Sequence, residues 1–71
     1  MKLKINSMYE LADGRKLIPR SHWSESDAPN FAVFEVLAGG GERFTKTTTT
    51  YTRAELKKVL GLAKNERVEL I

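Results

Sequence analysis

The chain contains no cysteine. That excludes a disulfide staple and any thiolate-held metal. It has one histidine, His22, so the imidazole pairs and triplets of ordinary zinc sites are missing as well. Asp13, Glu25 and Asp27 match no cation-loop spacing. No metal and no cofactor is therefore expected. Long apolar runs are also lacking. The longest, Phe31 to Ala38, is interrupted by Glu35 and falls well short of the roughly 18 residues a membrane span needs. The opening MKLKINSMYE alternates charged and apolar residues and has no apolar signal core. These absences predict a soluble, cytoplasmic protein. With 71 residues, the expectation is one domain over 1–71, burying only about 60% of its unfolded surface.

The catalytic inventory is equally thin. His22 has Ser21, Ser24, Ser26 and Asp27 around it, but all lie in one stretch with no regular element to hold them. A nucleophile, a base and an orienting group must be fixed within hydrogen-bond reach, and closeness in sequence does not do that. Gly39-Gly40-Gly41 lacks the Lys-Ser/Thr ending of a phosphate loop, and a strand pattern follows it instead of a helix. It reads as a hairpin connection. Glu10 with Asp13, and Glu25 with Asp27, read as turn and loop residues. An enzyme is not expected.

What is present describes a small folded domain. Hydrophobic residues make up 41% of the chain, too many for a disordered one. Met1–Ile5 alternates with period two, as a half-buried strand does. Asn6-Ser7 can bend it, and Met8–Leu11 can continue it. Asp13-Gly14 predicts a two-residue turn, and Arg15–Ile18 the returning strand. Pro19 is expected to end that strand, because proline cannot donate to the ladder. Residues 19–30, rich in Ser, Pro, Asp and Asn, read as a long flexible loop.

FAVFEVLA, Phe31 to Ala38, is apolar on both faces except at Glu35. A strand of that kind is covered on both sides, or covered on one side and dimerised on the other. Arg43–Thr50 supplies its threonine-rich neighbour. Thr52-Arg53-Ala54-Glu55 is a capping box, with Tyr51 and Leu56 placed as a hydrophobic staple. It starts a helix over 53–60, whose apolar stripe is Leu56, Val59, Leu60 and Ala63. Gly61 is its natural stop. Arg67–Ile71 alternates again and reads as a last strand. The fold class is α+β: a small antiparallel sheet of about five strands, open or barrel-like, with one short helix before the final strand.

The run from Asn30 to Leu60 resembles the strand, threonine-rich strand and capped helix of the single-strand-binding coactivator family. It is also similar to the three-strand-and-helix arm-binding domains of phage integrases. The matching positions are Phe31, Phe44, Thr50, Thr52 and Leu56, all structural, and the likeness covers under half of the chain.

Charge points to function more than any motif does. The net charge is +3, and residues 36–71 supply all of it. Arg43, Lys46, Arg53, Lys57 and Lys58 stand against Glu55 alone between positions 43 and 58. With the strand's hydroxyls, those five side chains are the expected nucleic-acid contacts, acting through phosphate oxygens. The plainer reading is that they solvate a strand edge and the outer side of a helix. Trp23, the only tryptophan, sits between Arg20-Ser21-His22 and Ser24. It can plug one end of the core, or it can act with Arg20 and His22 as the anchor for a partner protein, in the manner of a phage-type accessory protein. The expected function is thus a small non-enzymatic binding module, nucleic acid preferred, with a protein partner or a homodimer as the other readings.

Overall fold

The computed structural model describes residues 1–25, 28–40 and 43–71. Ser26, Asp27, Gly41 and Glu42, which include part of the glycine run and two of the polar neighbours of His22, lie outside the described residues. The strands are β1 (Lys2–Leu3), β2 (Tyr9–Glu10), β3 (Lys16–Pro19), β4 (Phe31–Gly40), β5 (Arg43–Thr52) and β6 (Glu69–Leu70), with helix α1 (Arg53–Leu60) between β5 and β6. β2-β3-β4-β5 form an antiparallel sheet in that order, and β1 pairs with β6 in parallel. The fold is therefore α+β, with an open sheet and no closed barrel. Among the described residues β5 pairs only with β4, while β1 and β6 pair with each other outside the sheet, so no barrel closes.

The bend expected at Asn6-Ser7 separates β1 from β2. Asn6 takes a positive φ of 68°, a conformation asparagine tolerates better than most residues. Its N–H donates to Pro19 O at 2.8 Å. The turn between β2 and β3 is longer than the two residues expected. Gly14 N donates to Leu11 O at 3.0 Å, Leu11 N donates to Arg15 O at 2.7 Å, and Gly14 has φ 93°. That makes a three-residue Ala12-Asp13-Gly14 connection, a type I turn closed by a left-handed residue. Asp13 Oδ1 accepts from Arg15 N, so the side chain reinforces the turn.

Pro19 ends β3, as expected, and is itself the last residue of the strand. It faces Phe34, while the flanking Arg20 N donates to Val33 O. Hydrogen-bonded and non-bonded pairs alternate in an antiparallel ladder, so Pro19 occupies a pair that asks no N–H of it. Beyond it, serine hydroxyls continue the ladder. Ser21 Oγ accepts from Val33 N at 2.8 Å, and Ser24 Oγ accepts from Phe31 N at 3.3 Å.

The sheet has one covered face. Leu17, Ala32, Phe34 and Val36 turn inward and meet Leu3, Leu11, Leu56, Val68 and Leu70. Phe34 is at the centre, with Trp23 edge-on at 6.2 Å and Tyr51 tilted at 5.5 Å. Val33, Glu35 and Leu37 project to the other face and are half-buried there. β4 and β5 run on past the core, so the molecule measures 39 × 24 × 18 Å. In that projecting arm, Phe44 lies across Gly39 with its ring 2.6 Å from where a Cβ would stand, so glycine is what lets the ring lie flat.

Helix α1 matches its expected bounds. Thr52 Oγ1 accepts from Glu55 N at 3.2 Å and Glu55 Oε1 accepts from Thr52 N at 3.4 Å, the reciprocal bonds of the capping box. Gly61 has φ 72°, with Gly61 N donating to Lys58 O and Leu62 N to Lys57 O. This left-handed stop turns the chain, so Ala63 leaves the helical stripe and is exposed. Leu62 packs against the core in its place.

Candidate functional site

The basic side chains fall in two places. Arg43 and Lys46 are on the projecting arm, and Arg53, Lys57 and Lys58 are on α1. Lys46 lies about 23 Å from Arg53 along the chain, at roughly 3.3 Å per residue. It projects from the uncovered face of the sheet, where Glu35 Oε1 meets its Nζ at 2.9 Å. Arg43 is exposed towards the end of the arm. The structure does not gather these two with the helix cations.

The helix cations instead meet residues that follow Gly61. Arg53, Ala54, Lys57, Lys58, Leu62 and Lys64 line a groove of about 620 Å³. It adjoins a depression of about 410 Å³ lined by Arg53, Lys57, Arg67, Val68 and Glu69. Arg53 and Lys57 are common to both. Each is held in place: Arg53 Nη1 donates to Val68 O at 3.3 Å, and Lys57 Nζ donates to Lys64 O at 3.1 Å. The Arg53 guanidinium also lies over the Trp23 ring, 4.5 Å from its centroid. Lys58 is exposed. Lys64 and Arg67 escaped sequence reading because Asn65, Glu66 and Glu69 dilute their charge locally. The one available signal was Gly61, which returns the chain along the helix.

The groove concentrates positive charge. Arg53, Lys57, Lys58, Lys64 and Arg67 surround it, and Glu69 is the single carboxylate of its lining. Between the charged groups its surface is mostly apolar, from Ala54, Leu62 and the lysine and arginine stems. Among the described residues no cluster could hold a metal ion. No helix of the described residues is long and apolar enough to cross a membrane.

The other sequence candidates lie elsewhere. Arg20 donates to Asn6 Oδ1 at 2.7 Å and to Glu35 Oε2 at 2.9 Å. His22 is exposed. Trp23 is half-buried between Phe34 and Arg53, and its Nε1 is buried without a partner among the described residues.

Glu35 is the most constrained carboxylate. Hydrogen bonds from Arg20 and then Lys46 hold its pKa below the ordinary glutamate range, against a smaller opposing effect of burial. A lowered folded-state pKa gives stability that is present above the unfolded value and lost as pH falls through the folded one. Glu35→Gln should therefore be less stable than the parent at pH 7 and lose less on acidification from pH 5 to pH 3. Urea melts of both proteins across that range check this, and parallel curves would remove the assignment.

No family model, curated protein or solved structure matches the chain.

Proposed function

We propose that the chain is a small non-enzymatic binding module that takes nucleic-acid phosphate in the groove between α1 and the segment after Gly61. One observation carries this reading: Arg53, Lys57, Lys58, Lys64 and Arg67 converge on adjoining depressions whose lining includes only one carboxylate. Lysine and arginine beside a backbone of repeating phosphates release its condensed counterions, and that release drives sequence-independent binding. A cytoplasmic setting goes with this reading.

Affinity for an oligonucleotide should fall steeply with salt, by roughly 0.7–0.9 log units per log unit of salt for each phosphate neutralised. Trp23 is the natural reporter, because Arg53 sits on its ring. Replacing Lys57, Lys58 and Lys64 together by alanine should lower the salt slope by about 2–3 and weaken binding roughly 100-fold near 0.1 M salt, with the fold intact. An unchanged slope and affinity in that variant would remove the groove from the reading.

A partner protein anchored on Arg20, His22 and Trp23 has less support. Arg20 is committed to Asn6 and Glu35, and Trp23 lies against the core. Self-association draws its support from the uncovered sheet face carrying Val33 and Leu37.

A further inference from the structure

We infer that the free edge of β5 is a docking edge for a second copy of this chain, paired antiparallel about a two-fold axis at Thr47. Nothing in this depends on the basic groove. Among the described residues β5 is the outermost strand and pairs on one side only. Its ten residues run from Arg43 to Thr52 without a proline. An edge of that length, without proline and with its mid-strand Lys46 neutralised by Glu35, is a template for another strand.

The direction of its polar groups follows from β4. Phe31 and Val33 exchange hydrogen bonds with Ser24, Ser21 and Arg20, on the β3 side. Bonding alternates along a strand, so Ala32, Phe34, Val36 and Ala38 face β5. Their partners there are Tyr51, Thr49, Thr47 and Thr45. The remaining residues, Phe44, Lys46, Thr48 and Thr50, direct N–H and C=O away from the sheet. Thr52 also points outward, but its N–H is already taken by Glu55.

A two-fold axis perpendicular to the sheet keeps each face on its own side, so opposed residues must share a face. Three registers near the strand centre meet that condition. An axis at Lys46 sets lysine against lysine. An axis at Thr48 opposes Phe44 to Thr52, whose N–H is occupied. An axis at Thr47 opposes Phe44 to Thr50 and Lys46 to Thr48, and it engages all the outward groups in about eight hydrogen bonds. Its side-chain pairs are aromatic against β-branched at Phe44–Thr50, ammonium against hydroxyl at Lys46–Thr48, and hydroxyl against hydroxyl at Thr45–Thr49 and Thr47–Thr47, with no like charges directly opposed. The register itself points to a second copy as the occupant, because every free outward group of β5 finds its partner on an identical strand and no lysine directly opposes another. The strand's cations, Arg43 and Lys46, are in its first half and the hydroxyls of Thr47–Thr50 follow. Antiparallel self-pairing therefore brings unlike halves together. Lys46 is also compensated within its own chain by Glu35.

Sedimentation equilibrium from about 1 μM to about 1 mM tests this. The wild-type mass should rise from one chain towards two. Thr48→Lys sets the introduced lysine against Lys46 of the second copy, twice per dimer, and should weaken association roughly tenfold or more at low salt. Within its own chain that lysine lies opposite Glu35, so the fold is supported. Thr48→Lys combined with Lys46→Thr restores charge against hydroxyl at both places and should restore the dimer. A wild type that stays monomeric at about 1 mM overturns the proposal. So does a Thr48→Lys protein that associates like the parent, or a swapped variant that does not recover.

Discussion

Phe34→Ala should leave little folded protein at room temperature. Phe34 is fully buried at the centre of the core, against Trp23 and Tyr51. Truncating a buried phenylalanine costs about 3–5 kcal/mol, because the transfer free energy is lost and a cavity remains. A domain of this length has a total stability of about 4–10 kcal/mol. The loss runs from about a third of that to all of it. It also acts on both walls of the core at once, because Trp23 and Tyr51 each lose the ring they tilt against. Circular dichroism with urea should show a midpoint near zero denaturant, and a thermal midpoint lowered by at least about 12 °C. Phe34→Leu keeps most of the volume and should retain a cooperative transition. A Phe34→Ala melt within a few degrees of wild type would show that Phe34 is not the keystone of this core.

Leu56→Ala is the second large effect, and it reaches the candidate site. Leu56 is the only buried residue of α1. Two turns of helix have little stability of their own, so packing must hold them. The expected cost is about 2–5 kcal/mol. The groove should weaken with it, because Arg53, Lys57 and Lys58 are positioned by the same helix. In a nucleic-acid titration, the variant should lose affinity at temperatures where its helix signal is already falling, and regain it on cooling. Affinity that follows wild type through the loss of helix would separate the groove from α1.

Much of the fold was legible where interactions are local. The bounds of α1 were written by Thr52, Glu55 and Gly61, each of which acts within one turn of itself. The β4–β5 pair was legible from an apolar run beside a threonine-rich one. The β1–β6 pair was not, because residues 2–3 and 69–70 come together only through the whole chain. Pro19 marked the end of β3 correctly, but its own place inside the strand depends on which member of an alternating ladder it occupies, and that is a property of β4. The candidate site was half legible. Arg53, Lys57 and Lys58 carried a local charge signal, whereas Lys64 and Arg67 join them only because Gly61 reverses the chain. Glu35 stood out as the lone charge in an apolar strand. Its two cations, Arg20 and Lys46, come from strand neighbours that no local pattern connects.

The parallel β1–β6 pair has a kinetic consequence. The hairpins β2–β3 and β4–β5 close short loops, whereas this clasp closes nearly the full length of the chain, with Met1 N donating to Arg67 O at 2.6 Å. It should be the last contact to form and the first to open. Glu69 belongs to the clasp and Val68 immediately precedes it, and both line the groove. If the groove takes a ligand as proposed, that occupant should act as a latch on the chain ends, slowing the excursion in which they part.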